Sequence, residues 1–175
     1  MNINIFLIIF FGAIVVILLL LIYYMYLCNK INYIVLRIDE ANKRIDSNLK
    51  EKYELLNRSI SLIKEKNKNE DILKEIVKLR SRKVSSFTLN EILDESYKEF
   101  KSLFDNNDTF KKSDELVKIS KQLFIIENEL EIVKNYYNEN TIYYNKLLKK
   151  FPTNIVAKIK KISKKEFFTL VLEDN

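Results

Sequence analysis

The side chains best spaced to do chemistry are two carboxylates, Glu127 and Glu131, which lie four residues apart. On a helix this spacing puts both on one face, where paired acids can transfer protons or hold a cation. Exposed acids are common on helices, however, and nothing in the local pattern enforces burial of these two. The sequence therefore favours a solvated helix face.

Most other chemistry lacks a residue that it requires. The chain has no histidine and a single cysteine, Cys28. Zinc sites, Cys-His and Ser-His-Asp nucleophile systems and carboxylate-histidine di-iron bundles all need residues that are missing. Gly12 is the only glycine, so neither a P-loop nor a dinucleotide-binding loop can form. The sequence predicts a protein that is not an enzyme and that binds no cofactor or metal.

The element that carries Glu127 is a long helix, predicted from Ser113 to Phe151. Alternating steps of three and four residues land on Leu116, Ile119, Leu123, Ile126, Leu130, Val133, Tyr137, Asn140, Tyr144, Leu147 and Phe151. All but Asn140 are apolar or aromatic, so the helix has one buried seam, in which Asn140 would set the register. Ser113 is a good N-cap, and Pro152 cannot continue a helix.

Nine residues in and after this helix form a spaced pattern: Glu127, Asn128, Lys134, Tyr137, Asn138, Tyr144, Asn145, Phe151 and Pro152. The pattern resembles the C-terminal signature of the LemA family of bacterial membrane-anchored helical proteins, with Lys134 where the family usually has Arg. A weaker resemblance continues upstream, where Asn57-Arg58-Ser59 departs from the family's Pro-Asn-Leu at all three positions. The resemblance implies a helical bundle and no assigned reaction.

The two Tyr-Asn pairs lie seven residues apart, so both rings occupy the seam and both amides lie at its edge. They could form a docking stripe for a partner. Alternatively, they are structural, because a buried tyrosine hydroxyl needs a hydrogen-bond partner that a neighbouring helix can supply. The second interpretation is favoured.

Residues 1 to 29 contain no side chain that is charged at neutral pH, and almost every residue from Ile3 to Leu27 is aliphatic or aromatic. About 20 such residues cross the hydrocarbon core of a bilayer, so this run predicts one transmembrane helix. A cleaved signal peptide would need a basic start and a small-residue cleavage site. A lipoprotein at Cys28 would need small residues where Tyr26 and Leu27 stand. Both alternatives are disfavoured.

Basic residues follow the apolar run and none precede it: Lys30, Arg37, Lys43 and Arg44. The positive-inside rule therefore predicts a single-pass protein of the cell membrane with its N-terminus outside and its C-terminal domain in the cytoplasm.

The predicted fold class is all-α, because a chain with one Gly and one Pro has little from which to build tight turns. A single transmembrane helix continues into an antiparallel up-and-down four-helix bundle with two long helices. Between the long helices, Asn69 would cap a second helix after a turn from Lys64 to Glu70, and a Thr88–Glu91 capping box would start a third. Without a break at Ser85-Ser86, these two would fuse. The domains are a transmembrane anchor at 1–29, a LemA-like bundle at 30–152 and a basic tail at 153–175.

Lysines cluster at the C-terminal end: Lys149, Lys150, Lys158, Lys160, Lys161, Lys164 and Lys165. They are candidate contacts for anionic lipid headgroups, whereas Phe167 to Leu172 would dock back on the bundle. Nucleic acid is disfavoured, because 30 basic residues are spread among 24 acidic ones. Two functions remain: a membrane scaffold or interaction module of the LemA type with an unknown protein partner, or a coiled-coil membrane sensor or tether that signals by oligomerising.

Overall fold

A computed structural model describes residues 3–66, 76, 79 and 84–168. Five helices contain most of these residues, and no strand occurs among them: α1 Ile3–Lys66, α2 Ser86–Asp105, α3 Asp108–Lys111, α4 Asp114–Leu147 and α5 Thr153–Ile159. The prediction of an all-helical chain with a long apolar N-terminal helix is confirmed. The second predicted helix, capped by Asn69, lies outside the described residues, apart from Ile76 and Leu79. The turn predicted from Lys64 to Glu70 does not begin at Lys64, because α1 continues to Lys66, and residues 67–70 lie outside the described part of the chain.

Helix α1 changes character along its length. Between Leu7 and Met25 nearly every apolar side chain is exposed, and this is the one stretch of the described chain that is long and apolar enough to cross a membrane. From Ile31 onward the helix buries a seam instead, in which Ile38, Ile45 and Leu49 are completely inaccessible. An exposed apolar surface of this length suits lipid hydrocarbon, in agreement with the predicted N-terminal span.

The chain divides into two compact units, and each is described by itself. The unit that we call the anchor unit contains residues 1–39 and 139–167. The unit that we call the core unit contains residues 40–138 and 168–175. Helices α1 and α4 each contribute residues to both units.

Helix α4 begins after Ser113, as predicted, and buries Leu116, Leu123 and Leu130 completely. It ends at Leu147 rather than at Phe151, and Phe151 is 74% exposed instead of lying in the seam. A proline disfavours the helical conformation of the residue before it, so the helix has to end before Phe151. A turn follows, and then the short helix α5.

Helix α2 begins at Ser86, immediately after the predicted break. Ser85 has an extended backbone, and its side chain accepts a hydrogen bond from the Thr88 amide at 3.2 Å, which makes Ser85 the N-cap. The predicted capping box with Thr88 as the cap is therefore wrong, because Thr88 already lies in the first turn. The predicted start of a separate helix in this region agrees with the structure.

Candidate functional site

Among the described residues of the core unit, Lys52 is the most completely buried charged residue, with no exposed surface. Its Nζ atom donates a hydrogen bond to Asp94 Oδ1 at 2.6 Å. The same atom lies 2.6 Å from Glu127 Oε2, an ion contact without hydrogen-bond geometry. One lysine from α1 therefore joins a carboxylate from α2 to a carboxylate from α4.

A second lysine, Lys134, completes the arrangement and is only 3% exposed. Its Nζ atom donates to Asn90 Oδ1 at 3.0 Å and lies 3.7 Å from Asp94 Oδ2. Asn90 in turn donates from Nδ2 to Asp94 Oδ2 at 2.9 Å. We call these five residues the buried charge cluster: Lys52, Asn90, Asp94, Glu127 and Lys134. Two cations balance two carboxylates, which is the condition under which buried charge is tolerated.

Tyr97 borders the cluster, and its ring centroid lies 5.4 Å from Lys52 Nζ. Burial raises the pKa of the Tyr97 hydroxyl, and the nearby carboxylates of Glu127 and Asp105 raise it further. Tyr97 therefore remains a neutral phenol at physiological pH. Within the described part of the chain, no group of three or more potential ligands could hold a metal ion. The cluster thus connects three helices through ion contacts and hydrogen bonds.

The cluster changes one sequence-based expectation and adds three residues. Glu127 is not on a solvated face, because it contacts Lys52, whereas Glu131 is exposed. Lys52, Asn90 and Asp94 were not predicted as site residues from the sequence. The available signal was Lys52 itself, which lies three residues after Leu49 and four before Leu56 in the α1 seam. A charged residue at a seam position requires buried partners on the neighbouring helices.

Asn138 binds the backbone of the C-terminal segment in the core unit. Its Nδ2 donates to the Phe168 carbonyl at 2.9 Å, and its Oδ1 accepts from the Phe168 amide at 2.9 Å. The Phe168 ring is stacked on Phe87 with centroids 4.2 Å apart, and Tyr137 meets it edge-on at 5.0 Å. Phe168 is only 2% exposed, so the predicted return of this segment is confirmed as far as the described residues extend. We call this contact the core clamp.

Asn145 makes the same pair of hydrogen bonds in the anchor unit. Its Nδ2 donates to the Lys165 carbonyl at 2.9 Å, and its Oδ1 accepts from the Lys165 amide at 3.0 Å. Tyr144 donates its hydroxyl to the Ser163 carbonyl at 3.2 Å, and Lys165 Nζ pairs with Asp39 at 3.1 Å. Burial, and secondarily the Asp39 carboxylate, raises the pKa of Tyr144. We call this contact the anchor clamp.

In both clamps the asparagine itself contacts the backbone of the bound residue, because its amide can donate from Nδ2 and accept at Oδ1 at the same time. The two asparagines lie seven residues apart on α4, and the residues that they bind, Lys165 and Phe168, lie three residues apart. The hydroxyl partner of Tyr144 is this segment and not a neighbouring helix, which corrects the sequence-based expectation.

The remaining predicted residues lie outside the buried charge cluster and, except for Lys165, outside both clamps. Asn128 is exposed, Phe151 is exposed and Pro152 is half-buried. Six of the seven lysines are exposed: Lys149, Lys150, Lys158, Lys160, Lys161 and Lys164. Lys165 is half-buried beside Asp39.

These observations define a class of protein, a helical domain that follows a candidate membrane span and binds its own C-terminal segment through asparagine clamps. The model of the LemA family matches residues 41–175, which is most of the chain and includes both asparagines. The chain therefore belongs to the LemA family. A search of the curated proteins found no match.

Proposed function

We propose that this LemA-family chain is a non-enzymatic interaction module anchored in the cell membrane, which acts by binding lipid headgroups and a protein partner. The Lys165–Asp39 pair at 3.1 Å carries the proposal. Asp39 follows the apolar run of α1 by twelve residues, so the pair ties the lysine-rich segment to a part of the anchor unit close to the bilayer.

We infer that the helices form an antiparallel up-and-down four-helix bundle. In the contacts between α1 and α2, the residue numbers of both helices increase together, as in Asp46 with Ser86 and Lys52 with Asp94. The two helices are therefore parallel. In the contacts between α1 and α4, the residue numbers increase on one helix as they decrease on the other, as in Lys52 with Glu127 and Arg58 with Glu115. These two helices are therefore antiparallel. Because α1 and α2 share a direction, an up-and-down bundle needs the predicted second helix to be separate from α2, which favours four helices over a fusion.

The absence of enzymatic activity is supported by the state of the buried charge cluster. Its lysines and carboxylates contact one another, so none is left to act as a base, nucleophile or ligand without breaking the core unit. A catalytic group would instead need a perturbed, accessible side chain in a cleft.

We place the C-terminal domain in the cytoplasm, with the N-terminus outside, because the basic residues of the flanks all follow the apolar run. The cytoplasmic leaflet is negatively charged, and each lysine near its surface contributes about 1 kcal/mol. Attraction between the seven C-terminal lysines and the headgroups would therefore hold the segment at the membrane surface at low salt. High salt would screen this attraction and weaken the binding.

Liposome binding tests this proposal directly. Residues 30 to 175 are mixed with anionic or neutral liposomes at low and high salt, beside a variant with Gln at all seven C-terminal lysines. The matched control carries Gln at seven exposed lysines elsewhere: Lys50, Lys98, Lys101, Lys111, Lys112, Lys118 and Lys121. We expect salt-sensitive binding to anionic liposomes that the control keeps and the first variant loses. Equal binding by both variants would contradict the lipid contact.

A second function, a coiled-coil membrane sensor or tether that signals by oligomerising, is favoured by one observation. Ile125 and Ile132 lie seven residues apart on α4 and are 56% and 68% exposed. If α4 pairs with another copy, Ile132→Glu converts a dimer into a monomer in light scattering of the detergent-solubilised chain. A monomer before substitution would exclude this function.

A further inference from the structure

We propose that the two clamps also take the C-terminal segment of a neighbouring copy of this chain, so that anchored copies exchange segments and become linked. The occupant is the stretch from Ser163 to Phe168 of the second copy. This inference goes beyond the lipid contact and does not depend on it, but it rests on the proposed anchoring of the chain in a membrane.

The fit of the occupant is established by the chain itself. Asn145 holds both backbone groups of Lys165, and Asn138 holds both backbone groups of Phe168. Phe87 and Tyr137 supply an aromatic slot for the Phe168 ring. A second copy presents the same backbone and the same ring, so every contact of the bound segment can be made between copies as well as within one.

The connection between α5 and the bound segment favours exchange. Lys161 has a φ of 52°, in the left-handed region where residues with a side chain are strained. Lys160 and Lys161 form the turn after α5. Docking between copies keeps the clamp contacts and lets this connection extend, which relieves the strain.

Anchoring in one bilayer supplies the other requirement. Copies that share a membrane are held at the same depth, and this confinement raises their effective concentration for one another. Exchange of an identical element between copies is a common route to dimers, because it needs no new surface. Linkage should therefore increase with the density of the protein in the membrane.

The test uses crosslinking between two differently tagged full-length copies in membranes, both carrying Cys28→Ser so that no native thiol remains. One copy also carries Asp39→Cys and the other Lys165→Cys, since these side chains are in contact and half-exposed. A short bismaleimide then joins the two tags only if the segment of one copy occupies the anchor clamp of the other. A single chain with both substitutions reports docking within one copy.

We expect a product that carries both tags and falls at least fivefold when the lipid-to-protein ratio is raised tenfold. Asn138→Ala with Asn145→Ala in the accepting copy should reduce it at least fivefold, whereas Asn128→Ala, an exposed position of the same helix, should leave it unchanged. Lys161→Gly relieves the turn and should lower the product. Lys161→Pro cannot adopt the positive φ and should raise it.

Three outcomes would overturn the proposal. One is crosslinking of the doubly substituted single chain without any two-tag product. Another is a two-tag product that the asparagine substitutions leave unchanged, which would reflect random collision. The third is failure of the doubly substituted chain to crosslink, because the segment would then not occupy the anchor clamp.

Discussion

Replacement of Lys52 by methionine should destabilise the core unit more than any exposed lysine substitution can. Methionine keeps the length and the apolar stem of lysine but removes the cation that lies 2.6 Å from both Asp94 and Glu127. Lys134 then remains as the one cation facing two carboxylates in the buried charge cluster. The variant thus leaves one negative charge uncompensated in a poorly solvated place.

The magnitude follows from the burial of the partners. Breaking a buried ion pair by removing one partner costs about 3–5 kcal/mol. The side chains of Asp94 and Glu127 are 11% and 28% exposed, so water can solvate part of the excess charge. We therefore expect about 3 kcal/mol, which lowers the Tm of a chain of this size by about 6–12 °C.

Thermal unfolding of the detergent-solubilised full chain, followed by circular dichroism at neutral pH, measures this shift. Lys50→Met is the matched control, because Lys50 is exposed two residues away on the same helix. Adding Glu127→Gln to Lys52→Met removes the excess charge and should regain about 1–2 kcal/mol. If Lys52→Met and Lys50→Met have the same Tm, the cluster does not stabilise the fold.

Three further predictions address the seam, the anchor clamp and the span. Leu130→Asp, at a completely buried seam position, should cost several kcal/mol, whereas the same change at exposed Ile132 should cost little; equal Tm values would refute the seam. Because the folded state raises the pKa of Tyr144, the stabilisation from its neutral hydroxyl is complete below the unfolded pKa of about 10 and is lost as pH rises through the higher folded value. The Tm should therefore fall more steeply above pH of about 10 in the native chain than in Tyr144→Phe, and parallel curves would refute this role. Mass spectrometry of the mature protein should find Met1 or Asn2 at its start, and a start near Cys28 would show that the apolar run is removed.

The sequence predicts the helices well because their signals are local and repeated. The seam of α4 and the apolar run of α1 each depend on many residues at a fixed period, so a single exception such as Asn140 does not obscure them. The end of α4 was placed four residues too late, because Pro152 acts on the residue before it and the following turn carries no strong marker of its own.

The site was predictable only in part, because its contacts join residues far apart in sequence. Asn138 and Asn145 could be placed at the edge of the seam, but nothing local to them reveals that Phe168 and Lys165 are their partners. Similarly, Lys52 could be recognised as a misplaced charge, whereas its pairing with Asp94 depends on how α2 packs against α1. Periodicity identifies the buried face of a helix and leaves the neighbour of that face undetermined.

The central claim, that the lysine-rich segment lies against the bilayer, is tested most directly by lipid quenching of a label on the full chain. A fluorophore is attached at Lys161→Cys in a Cys28→Ser chain held in anionic nanodiscs with nitroxide-labelled headgroups. Lys121→Cys, an exposed position on α4 in the core unit, serves as the reference. We predict strong quenching at position 161 that weakens at high salt, and little at position 121. Equal, salt-independent quenching at the two positions would contradict the claim.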